Sequence, residues 1–180
     1  GDIGQLRYVY SNRLSMGKLR REENVLWSFA PHDLSMILAL AGETPNRVWA
    51  TGQAFLNKRT ADTTMTHMEF RSGLAGHIYV SWLHPIKEQR LVVIGDRGML
   101  LFDDAQPWRE KLMHYPHAVE WKHGMPVATR ADGVPVALQE TEPLGAEIDH
   151  FLHSIATRAT PRTDANEAIR VLRVLNAAQE

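Results

Sequence analysis

The sequence predicts an α+β domain, a mainly antiparallel open sheet with helices packed on one face. Three observations predict it. Apolar residues alternate with period two through several short segments between residues 5 and 102, separated by turn residues. Residues 34–41 switch to helical spacing, and two further helical patterns close the chain. The order strand, helix, several strands, two helices lacks the strict strand–helix alternation of a parallel sheet. With 180 residues, the chain is read as one domain, residues 1–180.

Residues 5–14 read as the first strand, with Leu6, Tyr8 and Tyr10 alternating against Arg7, Val9 and Ser11. A strand starting so close to residue 1, with no initiator methionine, suggests a piece cut at a domain boundary. Residues 15–24 form a charged loop carrying Lys18, Arg20, Arg21, Glu22 and Glu23. Such a loop is a solvated connection or a cationic clamp for phosphate or carboxylate. Pro31 then suits the first turn of a helix, with Ser28 or Ala30 near its N-cap. Leu34, Ile37, Leu38 and Ala41 make its stripe, and Gly42 its C-cap. His32 would sit at the positive end of that helix, which disfavours imidazolium and leaves a neutral ring able to act as a base. A buried, hydrogen-bonded turn histidine fits the same spacing.

Residues 45–55 read as a strand carrying Val48 and Trp49, followed by a polar turn over 57–62. Residues 64–70 and 74–83 form a hairpin around Arg71-Ser72-Gly73. The second of these strands puts Leu74, Gly76, Ile78, Val80 and Trp82 on one face and His77, Tyr79 and Ser81 on the other. Residues 89–94 and 99–102 flank Gly95-Asp96-Arg97-Gly98, another hairpin signal. Residues 103–143 hold scattered aromatics and prolines and read as irregular strands or an edge excursion. Residues 144–157 show an amphipathic stripe of Leu144, Ile148, Phe151, Leu152 and Ile155. Thr163 or Asp164 caps a last helix with the stripe Ala168, Val171, Leu172 and Leu175. Helices on one face leave the other solvated or free for an interface. Tyr79, Trp82 and Leu83 are the expected contacts of a homo-oligomer through that open face.

Composition narrows the function classes. The net charge of −1 gives no support for nucleic-acid binding. The chain has no cysteine, so thiolate catalysis and disulfides are excluded, which suits a cytoplasmic protein. No run of 18 apolar residues suggests a membrane span. The nine histidines show no metal-site spacing, and the pairs His114/His117 and His150/His153 lack companions, so no metal is expected. There is no G-x-S-x-G elbow, no Walker loop and no G-x-G-x-x-G after a strand.

Four stretches in order carry a family resemblance: Arg7-Tyr8-Val9-Tyr10-Ser11-Asn12-Arg13-Leu14, Gly17-Lys18-Leu19-Arg20, Glu22-Glu23-Asn24, and Leu26-Trp27-Ser28-Phe29-Ala30-Pro31-His32-Asp33. Val80-Ser81-Trp82-Leu83-His84-Pro85, Val93-Ile94-Gly95-Asp96-Arg97-Gly98, Glu142-Pro143-Leu144 and the ending from Asp164 extend it over nearly the whole chain. The sequence resembles the second domain of the Gfo/Idh/MocA oxidoreductases. Within them it is most similar to the sugar-nucleotide branch, which includes UDP-N-acetylglucosamine 3-dehydrogenases of surface-polysaccharide synthesis.

The resemblance implies an absent N-terminal Rossmann domain that binds most of the NAD or NADP and carries a catalytic lysine. It implies that His32 is the catalytic histidine beside the nicotinamide and the sugar carbon. It also implies that Asn12, Arg13, Lys18, Arg20 and Asn24 line the edge that meets a sugar or nucleotide-sugar substrate. One position departs from the family pattern: Ser28 stands where many members have an aspartate four residues before the histidine. A serine supports an imidazolium much less than a carboxylate does, so His32 has a weaker role or pairs with Asp33 or the absent lysine. The fragment alone is expected to be inactive. The alternatives are a non-enzymatic binding or dimerisation module, or a small self-contained α+β isomerase.

Overall fold

The computed structural model describes residues 1–17 and 19–180. Its first strand, β1 (Leu6–Leu14), lies in the middle of an eight-stranded sheet. The sheet also holds β2 (Arg47–Gln53), β3 (Thr63–Glu69), β4 (Ala75–Ser81), β5 (Glu88–Gly95), β6 (Met99–Asp103), β7 (Leu112–Tyr115) and β10 (Val134–Pro135), in the order β10-β7-β6-β5-β1-β4-β3-β2. Among the described residues, β1 against β4 is the one parallel pairing of this sheet, and the others are antiparallel. The mainly antiparallel α+β expectation holds. The expected excursion contains a 3-10 turn (Trp108–Glu110), β7, and a separate hairpin of β8 (Ala118–Lys122) with β9 (Met125–Thr129), then β10.

Helix α1 (Val25–Ala41) corrects the expected helix start. It begins six positions before Pro31, capped by Asn24, whose side-chain oxygen accepts from the Trp27 N–H at 3.1 Å. Neither Ser28 nor Ala30 is the cap, because Asn24 already has extended backbone and a side chain that satisfies an orphan N–H. Pro31 is interior, where its missing N–H leaves the Trp27 carbonyl without its helical donor. His32 therefore lies two turns into the helix, beyond the reach of the terminal dipole on which its expected neutrality was argued. Gly42 ends the helix as expected, at φ 67°, with its N–H on the Leu38 carbonyl at 3.1 Å.

The core lies between the sheet and α1 with α3 (Ala165–Gln179). Val9 of β1 and Ile78 and Val80 of β4 face Ala30, Leu34, Ile37 and Leu38 of α1, with Val171, Val174 and Leu175 of α3 beside them. Asp164 caps α3 by accepting from the Glu167 N–H at 2.9 Å. Trp82 belongs to this core, 1% exposed and edge-on to Phe29, so it is not an open-face contact. Helix α2 (Pro143–Thr157) forms where its pattern predicts, but Leu144, Ile148, Phe151, Leu152 and Ile155 all remain exposed. No helix among the described residues is long and apolar enough to cross a membrane.

Candidate functional site

The residues singled out from sequence fall into three places. Around the start of α1, Asn24 does two jobs. Its oxygen caps the helix, and its Nδ2 donates to the Gln179 side-chain oxygen at 2.9 Å. Trp27 Nε1 donates to the same oxygen at 2.9 Å, so the end of α3 is tied to the first turn of α1. An open cleft of about 430 Å³ lies here, lined by Glu22, Glu23, Trp27, Arg59, Thr60 and the Asn24–Gln179 pair. Arg20 joins it through Glu23, at 2.8 Å. Aromatic edge, cations, carboxylates and amides together give the mixed polar lining that a hydroxylated ligand requires. Lys18 lies outside the described residues.

On the helix side of the sheet, Arg13 and Asp33 meet. Arg13 Nε donates to Asp33 Oδ2 at 2.7 Å, and Nη2 reaches Oδ1 at 3.4 Å. Ser11 Oγ is 2.5 Å from Asp33 Oδ1, with the Arg90 carbonyl at 3.0 Å as the alternative acceptor for its proton. Gln89, with its amide oxygen turned to Arg13, accepts from Nη1 at 3.1 Å and donates to Asp104 at 3.0 Å. Asp33 is thus buried and fully engaged, and it is not directed at its neighbour His32. His32 is exposed on the outer side of α1, one turn after half-buried Ser28.

The third place is the open face. Asn12 points there and donates to Glu88 at 2.7 Å. Beside it runs a row of rings across four strands. Trp49 stacks on His67 at 5.0 Å between centroids, and His77 stacks on Tyr10 at 5.2 Å, with the two imidazoles 6.0 Å apart. Tyr8 Oη lies 2.6 Å from His77 Nδ1. Burial lowers the His77 pKa below the ordinary imidazole value, and nearby His67 lowers it further. Burial, with Tyr10 beside it, raises the Tyr8 phenol. The sequence reading missed this row, although each of the four residues alternates with the core-facing positions of its own strand. Only the pairing order places those four positions side by side.

A family model for the GFO/IDH/MocA C-terminal domain matches residues 1–101. The structure of UDP-N-acetylglucosamine 3-dehydrogenase GnnA from Acidithiobacillus ferrooxidans matches with TM-score 0.81 and 25% identity, over 97% of this chain and 54% of that one. Levoglucosan dehydrogenase, solved in complex with NADH and levoglucosan, has the same fold, with TM-score 0.76 and 16% identity, over 99% of this chain and 57% of that one. The chain spans about half the length of each. No curated protein matches in sequence. With its first 101 residues fitting the family model and its whole fold fitting part of larger oxidoreductases, the chain belongs to the Gfo/Idh/MocA oxidoreductase family and corresponds to its C-terminal domain.

Proposed function

We propose that this chain is the substrate-binding and oligomerisation half of an NAD(P)-dependent sugar or nucleotide-sugar oxidoreductase of the cytoplasm, which oxidises a ring hydroxyl by hydride transfer. The observation that carries the reading is the match of 97% of this chain to 54% of a UDP-N-acetylglucosamine 3-dehydrogenase. When bound, the nicotinamide would supply the hydride acceptor. The described residues do not fit its diphosphate. The three helices open at Asn24-Val25, Glu142-Pro143 and Asp164-Ala165, with no glycine-rich turn between a strand and a helix. We therefore assign cofactor binding to the other half of the protein.

In this reading His32 takes the proton of the substrate hydroxyl. Its exposure leaves the ring open to a ligand or to the other half. Arg20, Asn24 and Lys18 serve the substrate edge, with Arg20 and Asn24 at the mixed polar cleft. Asn12 and Arg13, bonded to Glu88 and Asp33, support strand β1 instead. A second copy covers the open face. Eight strands about 4.8 Å apart and on average some six residues long present roughly 760 Å², close to the 800 Å² or so per partner of a stable interface.

The test uses the full-length enzyme. His32→Ala should lower turnover by about a hundredfold or more, with a much smaller change in KM for the sugar substrate. Turnover near that of the wild type would remove His32 from the reaction. Lys18→Ala with Arg20→Ala should raise KM for a nucleotide sugar and leave a free sugar unaffected.

A further inference from the structure

We propose that the His67–His77 pair makes assembly through the open sheet face proton-dependent, holding the face together while both rings are neutral and loosening it when they are protonated. The inference rests on the reading that a second copy covers this face.

The two histidines are directly opposed on neighbouring antiparallel strands, β3 and β4, with ring centroids 6.0 Å apart. Directly opposed like charges destabilise a sheet pair. Each ring is also stacked on its outer side, His67 by Trp49 and His77 by Tyr10, at interplanar angles of 11° and 4°. The rings thus cannot easily turn away from one another.

The acidic groups on this face leave no free counter-ion beside the pair, since Glu69 and Asp103 face arginines and Glu88, whose partner Asn12 is neutral, lies opposite Leu14, four residues along β1 from Tyr10. Register places Glu69, Glu88 and Asp103 on it, and each is already bonded: Glu69 to Arg47 at 3.6 Å, Glu88 to Asn12 at 2.7 Å and Asp103 to Arg90 at 2.7 Å. Arg47 further lies 4.8 Å from the Trp49 ring centroid, at the end of the same row. Tyr10 and Tyr79 share this face, and Tyr8, its phenol raised by burial, stays neutral in the range where histidines titrate. The Tyr8 bond suits either state of His77, since the phenol can donate to a neutral Nδ1 or accept from a protonated one.

A covering copy would remove water from rings that are already half-buried, which penalises the charged form. The assembled face then binds fewer protons than separated copies. By linkage, assembly is favoured while the rings of the separated copies are neutral and weakens as pH falls through their pKa values, that of His77 lying below the ordinary 6.5.

Sedimentation velocity on the full-length protein between about pH 8 and pH 5.5, at fixed ionic strength, tests this. The dissociation constant should rise at least tenfold toward the acid end. His67→Phe with His77→Phe keeps two stacked rings without titration, and should assemble with a flat response. His67→Phe alone, the milder change, should show a smaller rise than wild type. A wild-type protein whose assembly is unchanged at the acid end overturns the proposal, as does a double or single variant with the full wild-type response. Trp49→Asp separates the two failures. If it stays assembled at pH 8, or if the wild type is monomeric there, the copy-on-face reading falls and takes the proton dependence with it.

Discussion

Arg13 Nε lies 2.7 Å from Asp33 Oδ2, a charged contact that fastens the central strand to the first helix. Asp33 is 2% exposed, so its carboxylate depends on Arg13 and Ser11 for the partners that water would otherwise supply. Asp33→Ala should destabilise the protein by about 3 kcal/mol, because it leaves the Arg13 guanidinium without its partner. Arg13→Met with Asp33→Leu should recover much of that loss, because no unpaired charge remains. Urea unfolding of the three proteins checks both. Equal stability of Asp33→Ala and wild type would show the pair to be energetically idle.

Gly76 sits in β4 against the parallel strand β1. A Cβ built there would come 2.5 Å from the Val9 carbonyl oxygen and 2.9 Å from Val9 Cγ1. The nearest atom is backbone, so no side-chain rotation relieves the clash. Gly76→Ala should cost about 2–3 kcal/mol, in the range of an overpacked core. A thermal midpoint unchanged within a degree would contradict the tight approach of the two strands.

Asp103 predicts the acid limit of stability. Burial works to raise its carboxyl, but the bond from Arg90 and those from the Ala105 amide and Gln106 bring it below its ordinary value of 3.8. A carboxyl lowered in the folded state stabilises above the unfolded value and loses that contribution as pH falls through the folded one. The contribution of Asp103 should therefore be complete by about pH 5 and disappear below 3.8. Asp103→Asn should flatten the acid limb of a stability–pH curve measured in urea. An unaltered limb would assign the acid sensitivity to other carboxylates.

Much of the fold was legible because period-two alternation and turn residues act locally. Gly95 to Gly98 announced the β5–β6 hairpin, and the Gly95 N–H indeed meets the Gly98 carbonyl at 2.8 Å. The cap of α3 was legible as Thr163 or Asp164 for the same reason, and Asp164 makes the bond. The start of α1 was misread because Pro31 is an equally good first-turn residue, and only the real capping bond of Asn24 decides between the two frames. Of the candidate site, Arg20 and Asn24 fall beside one cleft, whereas His32, Asn12 and Arg13 lie elsewhere. Strand parity could have separated Asn12 from Arg13. The Arg13–Asp33 contact could not be foreseen, since it depends on how α1 is rotated over the sheet.

The placing of β1 between β4 and β5 has a kinetic consequence. Hairpins can build β2–β3–β4 on one side and β5–β6–β7 on the other from near neighbours alone. Joining them takes a strand that must close a loop from Tyr8 to Ala75 and another from Tyr8 to Ile94. Those closures cost chain entropy before they return contacts. The pairings of β1 with β4 and β5 are therefore the non-local part of the sheet, and they set the entropic cost that its folding rate has to meet.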